Sequence, residues 1–145
     1  MSVEFRIIEI HDRAQIERAH AIRRRVFIEE QHVPEELELD EDDARALHVL
    51  ALDASDTAVG CGRMVAHGDE VKIGRMAVLR ERRGQGIGRR ILEFLMEAAK
   101  ARGYCGAMLH AQVAVEGFYR KSGYRSIGDV FEEAGIMHRL MRRDL

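Results

Sequence analysis

Met76-Ala77-Val78-Leu79-Arg80-Glu81-Arg82-Arg83-Gly84-Gln85-Gly86-Ile87-Gly88-Arg89-Arg90 is the stretch from which the rest of the chain can be placed. An apolar run ends in charge, three glycines follow at alternate positions, and a helical pattern begins. Glycine there lets the backbone turn tightly and bring its amides close to a ligand. The first N–H groups of a helix lack intrahelical acceptors and sit at the positive end of its dipole. Phosphate is the natural partner of such a terminus. Five arginines against one glutamate between Arg80 and Arg90 make this junction locally cationic.

Downstream, Ile87, Ile91, Leu95, Ala98 and Arg102 form one stripe, widened by Leu92, Phe94 and Ala99, which predicts an amphipathic helix from about Gly86 to Arg102. Gly103 is placed to end it in a left-handed cap. A buried strand over Ala107 to Ala111, a short helix from Val115 to Ser122 closed by Gly123, and strands over Tyr124 to Ile127 and Ile136 to Met141 complete the C-terminal half. Upstream, Leu47 to Leu52, Ala58 to Ala66 and Val71 to Val78 read as three strands. Their connectors carry turn residues, and strands joined so tightly are antiparallel. Val3, Phe5 and Ile7 alternate as a first strand. Asp12 with Gln15 resembles a capping box opening a helix through Ile16, Ala19, Ile22 and Val26. Pro34 ends that region, and an acidic stretch from Glu35 to Asp43 follows. The order predicts one mixed α/β domain over residues 1–145.

Composition narrows the function classes. Hydrophobic residues make up 46% and charged ones 33%, but 23 basic against 25 acidic side chains leave a net charge of −2. A generic basic nucleic-acid binder is disfavoured. No apolar run approaches the length of a membrane span, and the opening Met1-Ser2-Val3-Glu4-Phe5-Arg6 does not read as a signal peptide. Cys61 and Cys105 are far apart, without metal-ligand spacing, and are expected as reduced thiols in a cytoplasmic protein.

The glycine loop fits neither common nucleotide motif. A Walker A loop needs lysine and then serine or threonine after its last glycine, where Arg89 stands. A dinucleotide fingerprint needs its third glycine three places after the second, and Gly88 comes two after Gly86. Arg83-x-x-Gly86-x-Gly88 at a strand-to-helix junction instead resembles the pyrophosphate loop of the GNAT superfamily, the Gcn5-related N-acetyltransferases. That family's pattern is Gln or Arg, two residues, Gly, one residue, then Gly or Ala. Gly117-Phe118-Tyr119-Arg120-Lys121-Ser122-Gly123-Tyr124 is similar to its second signature. The element order resembles the family over nearly the whole chain. Arg25 to Gln31, Val33-Pro34-Glu35-Glu36, His48, Leu109 to Gln112 and Glu133 to His138 are similar to its ElaA/YjcF-like branch.

The resemblance implies a GNAT-like α/β fold: a mixed, mostly antiparallel twisted sheet flanked by helices, with splayed central strands. It implies acetyl-CoA as co-substrate and no metal. The pyrophosphate would rest on amides of Arg83, Gly84, Gln85, Gly86, Ile87, Gly88 and Arg89. The pantetheine arm would pair with the backbone of Met76, Ala77 and Val78, and the Val78 amide or its neighbour would polarise the thioester carbonyl. Gln112 stands nearest to the asparagine that in many members steadies the pantetheine or the short helix. Tyr119 matches the tyrosine thought to protonate the departing thiolate. The expected activity is acetyl transfer to a primary amine of a small molecule or peptide; a catalytically silent acyl-CoA-binding module is the alternative. A homodimer through terminal strands is an open expectation.

An amine with a pKa of about 10.4 must lose a proton before it attacks. Glu29, Glu30, His48, His110 and His138 are candidate bases by chemistry alone, as is ordered water. His110, in an apolar strand, reads first as a hydrogen-bonded structural residue. The acidic stretch reads either as a lure for cationic amines or, preferably, as a solvated loop.

Overall fold

The computed structural model describes residues 4–145. The strand expected from Val3 begins at Phe5, and Val3 itself lies outside the described residues. Seven strands form one sheet: β1 (Phe5–Glu9), β2 (Leu47–Asp53), β3 (Ala58–His67), β4 (Glu70–Val78), β5 (Gly106–Gln112), β6 (Arg125–Glu133) and β7 (Ile136–Asp144). Their order is β1-β2-β3-β4-β5-β7-β6, antiparallel throughout except for the β4–β5 pair. The three tightly joined central strands are antiparallel, as their turn chemistry requires.

Helix α1 (Arg13–Arg23) starts at Asp12, whose carboxylate accepts the Gln15 N–H at 2.8 Å. Ala19, Ile22 and Val26 pack with Leu50, Leu52, Cys61, Ala77 and Leu79 on one sheet face. On the other face lies α3 (Ile87–Ala101), which sinks Ile87, Ile91, Leu92, Leu95 and Ala99 among Val49, Val71, Ile73, Leu109 and Met141. Truncating one such leucine to alanine costs about 2–5 kcal/mol. Gly62 makes this close approach possible, because a Cβ there would stand 2.9 Å from Ile91. Gly103, at φ 88°, ends α3 as its position predicts. Among the described residues no helix is long and apolar enough to cross a membrane.

Three local differences from the sequence reading matter for the site. Beyond Arg23 the helix does not stay α-helical but widens into a π-helical coil over Arg24–Glu30, closed by the Gln31 N–H on the Val26 carbonyl. The short helix α4 covers only Glu116–Arg120, after a 3-10 turn at Val113–Val115. Strand β6 runs on to Glu133, past a bulge between Ile127 and Phe131 where Gly128 takes φ 76°. Gly128-Asp129 reads as a strand end by residue type, but a bulge absorbs the extra residues and the ladder resumes.

The acidic stretch is not a solvated loop. It folds into α2 (Glu35–Glu38) and a 3-10 turn over Glu41–Ala44, and its carboxylates hold arginines from elsewhere. Glu38 and Asp43 grip Arg23, which is 1% exposed, while Asp40 and Asp43 grip Arg63. The arginines lie far away in sequence, so the stretch shows no basic partner of its own. Buried charges persist only when paired in this way.

Candidate functional site

The site starts where two parallel neighbours part. β4 and β5 are paired from Glu70–Gly106 to Ile73–Leu109 and no further. β4 keeps its partner on the β3 side, through Cys61–Ala77 and Gly60–Val78, and β5 keeps β7 as far as Gln112–His138. A bulge in β4 bends it: Gly74 faces Arg63 and Ala77 faces Cys61, so two residues, Arg75 and Met76, oppose Gly62, and Arg75 takes φ 50°. The Leu79 N–H reaches Val59 across β3 at 3.0 Å, so strand alternation turns the Val78 N–H toward the gap. A backbone donor left there asks for a partner.

The gap opens into a cavity of about 1060 Å³. Met76, Ala77, Val78, Arg83, Gly84, Gly86, Ile87, Gly88, Arg89, Gln112 and Tyr119 all line it, so the structure brings together the residues nominated from sequence. Gln85 is the exception: it lies in the loop but not on the cavity wall, and its Oε1 accepts from Arg82 Nε at 3.2 Å.

Gly84 and Gly86 have φ of 80° and 82°, a region that disfavours every residue with a Cβ, and Gly86 caps α3. Among the described backbone bonds, none is donated by Gly84 through Arg89. The arginines around them are largely engaged. Arg82 holds Asp53 at 2.8 Å, Arg83 holds Glu30, Arg89 holds Glu93, and Arg90 lies over the Phe5 ring at 5.3 Å. The donors left free around this loop are therefore its amides, with the arginines as a partly neutralised surround.

Helix α4 presents Phe118 and Tyr119 to the cavity, their rings meeting edge to face at 5.0 Å. Burial pushes the Tyr119 phenol up to about 12. Gln112 donates to the Gln31 side chain at 2.9 Å, tying the end of β5 to the end of the π-helical coil. Gln31 escaped the sequence reading because only the coil's widening and its reversal at His32, φ 59°, bring it to the cavity.

The candidate bases separate cleanly. Glu29 and Glu30 line a different, smaller groove with Arg25, Leu79 and Arg80. The Arg83 guanidinium holds the Glu30 carboxyl below its usual range. His48 bonds the Asp43 carbonyl at 2.8 Å and does not line the cavity. His110 and His138 do line it, joined by Glu133 from the end of β6. Glu133 had no assigned role in the sequence, since the β6 bulge and the tight Ala134-Gly135 turn are what place it there. For a metal, the three-ligand grouping among the described residues is Asp69, Glu70 and Cys105, outside this cavity and with Glu70 already engaged by Arg142.

Comparison with known proteins follows the same lines. The model of the acetyltransferase (GNAT) domain family matches residues 10–145. An uncharacterized N-acetyltransferase, YjcF of Bacillus subtilis (strain 168), is 37% identical over 131 residues, covering 90% of this chain and 93% of its own. A crystal structure of a putative N-acetyltransferase from Lactobacillus plantarum superposes with a TM-score of 0.91 at 26% identity, covering 97% and 98% of the two chains. Escherichia coli ElaA does so with a TM-score of 0.83 at 26% identity, covering 97% and 99%. With a glycine-capped helix start beside a parted pair of parallel strands, and with these relatives, the chain belongs to the GNAT acetyltransferase family, in its ElaA/YjcF-like branch.

Proposed function

We propose that the protein transfers an acetyl group from acetyl-CoA to a primary amine by direct attack on the thioester. One observation carries this reading: the Val78 N–H faces a gap that leads from the Gly84–Arg89 amides to the Tyr119 phenol. The pyrophosphate would rest on those amides, with the helix dipole behind them. The pantetheine arm would follow the free edge of Met76, Ala77 and Val78. Attack turns the thioester carbonyl into an oxyanion, which a preorganised N–H at Val78 or its neighbour stabilises. The departing thiolate takes the proton of Tyr119, whose raised pKa keeps the phenol protonated at neutral pH.

The test is thermal stabilisation by acetyl-CoA, CoA, ATP and NAD, followed by mass detection of acetylated amines. A ligand specific to the native state stabilises by RT ln(1 + [L]/Kd), about 2.7 kcal/mol at a hundredfold excess over Kd. Stabilisation by the CoA species alone, with amine acetylation, is the expected result. CoA binding without transfer to any amine would leave a silent acyl-CoA module, and a larger shift with ATP would remove the reading altogether.

A further inference from the structure

We infer that His110 is the general base that takes the proton from the acceptor amine, and that Glu133 is the residue that positions it; this rests on the acetyl-transfer reading above. His110 is the first β5 residue beyond the last β4–β5 pair, Ile73–Leu109, so it stands at the apex of the parted strands. Its Nδ1 lies 3.1 Å from Glu133 Oε1. A carboxylate only accepts, so this nitrogen carries the hydrogen and Nε2 keeps its lone pair. The Phe131 ring meets the imidazole edge to face at 5.0 Å and fixes its plane. Glu133 itself comes from the β6–β7 hairpin, so a different strand orients the base.

The other titratable groups on the wall are committed elsewhere. His138 has its Nδ1 on the Ile136 carbonyl at 2.7 Å and turns its Nε2 to Glu133 at 3.8 Å. Glu38 and Asp40 are held by Arg23, Arg63 and Arg75, and Asp42 by Arg45. Lys72, beside Met108 in the register, is a cation and cannot accept. The groups around His110 are thus Glu133 from β6, His138 from β7 and Lys72 from β4. His138, with its Nδ1–H on a carbonyl, also keeps a lone pair on Nε2, but that nitrogen is turned to Glu133. Its side chain is 9% exposed against 25% for His110, so His110 is the imidazole more open to an incoming amine.

The step balances without a further reactant. The neutral amine nitrogen forms the C–N bond with the thioester carbon, and its surplus proton passes to His110 Nε2. The C–S bond breaks, and sulfur takes the Tyr119 phenolic proton. The imidazolium then gives its proton back, through solvent, to the tyrosinate. Acetylated amine and CoA are the products, and the protein is restored.

The experiment measures acetylation of 2-phenylethylamine, spermidine, glucosamine and a lysine-containing peptide from pH 5.5 to 9, with thermal stabilisation by CoA run on every variant to show that each is folded. In the wild type, kcat/KM calculated on the concentration of neutral amine, which removes the amine's own titration, should still fall on the acid side as the catalytic imidazole takes a proton. His110→Gln should lower kcat about 10²–10³-fold, remove that limb and keep the CoA shift. Glu133→Gln keeps the imidazole, so it should keep the limb while kcat falls about tenfold. His110→Gln with near wild-type turnover, or an acid limb that survives it, overturns the assignment. So does a loss confined to His138→Gln. Transfer to none of the four amines by a wild type that binds CoA counts against the transfer reading itself and takes this inference with it.

Discussion

Arg83 and Glu30 form a two-pronged ion pair, Nη1 to Oε2 at 2.7 Å and Nη2 to Oε1 at 2.9 Å, across 53 positions of sequence. The same guanidinium donates through Nε to the Val78 carbonyl at 3.0 Å. The arginine that opens the glycine loop therefore fastens the end of β4 to the π-helical coil and to the loop itself. It also caps the carbonyl of the residue whose N–H faces the gap.

Under the proposed function, this arrangement should make the two partners act in opposite directions on CoA binding. Arg83→Ala removes the fastening and a positive charge, and acetyl-CoA should bind about tenfold more weakly. Glu30→Gln keeps the Val78 bond but deletes a negative charge beside the cradle, so affinity should rise about threefold, or ~0.65 kcal/mol, at low salt. Because Arg83 is 41% exposed, that gain should vanish at high ionic strength. Calorimetric titration at two salt concentrations checks both signs; a weakening by Glu30→Gln would show that geometry outweighs charge here.

Two of the three loop glycines, Gly86 and Gly88, should also part company. Gly86 sits at φ 82° with open space where a Cβ would go, so Gly86→Ala suffers from the backbone alone, by about 1–2 kcal/mol. The strain relaxes by moving the amides, and CoA binding should weaken with it. A Cβ at Gly88 would stand 3.5 Å from Phe118 and 3.7 Å from Val78, ordinary contact distances. Gly88→Ala should thus raise helix stability by about 0.5–1 kcal/mol and leave CoA binding nearly unchanged. Melting midpoints and CoA titrations of the two variants distinguish them.

How far these features could be read in advance depended on their range. The α3 stripe, the tight turns between β2, β3 and β4, and the glycine loop are set by neighbours within a few residues, so periodicity and residue type expose them. The cavity's far wall is set by contacts between distant segments. Arg23 and Arg63 find Glu38, Asp40 and Asp43 only after folding, which is why a paired cluster read as a solvated loop. Gln31 and Glu133 enter through a π-helical coil and a β-bulge, two irregularities that break the very periods from which sequence is read.

Tyr119 and Tyr124 pack edge to face at 6.0 Å, yet their hydroxyls should matter differently. Tyr119→Phe should lower turnover about 10²-fold and leave CoA affinity within a factor of two. Its pKa of about 12 means that the phenol stays protonated up to roughly pH 11, so no alkaline limb below that should depend on it. Tyr124 is 2% exposed, and among the described residues its buried hydroxyl has no hydrogen-bond partner. Removing an unsatisfied polar atom relieves a desolvation penalty, so Tyr124→Phe should be neutral or stabilising by up to about 1 kcal/mol, with activity kept. Equal activity losses in the two variants would mean that Tyr119 acts through packing and not as an acid.

The ion cluster beside the cavity predicts an acid sensitivity with a definite sign. Burial pushes the Asp43 carboxyl up, but Arg23 and Arg63 overcome this and hold it well below the usual carboxylate range. The Arg63 hydrogen bond does the same for Asp40. A carboxyl whose pKa is lower folded than unfolded contributes stability that is fully present above the unfolded value, about 3.9, and is lost as pH falls toward the folded one. The melting midpoint should therefore drop steeply below about pH 4. Asp43→Asn leaves Arg23 and Arg63 short of an anion at neutral pH and should cost about 3 kcal/mol there. It also removes one of the titrating groups, so its midpoint should depend less on pH across the same acid range. Parallel acid slopes in wild type and Asp43→Asn would show that the segment over Glu35–Ala44 is held by something other than these pairs.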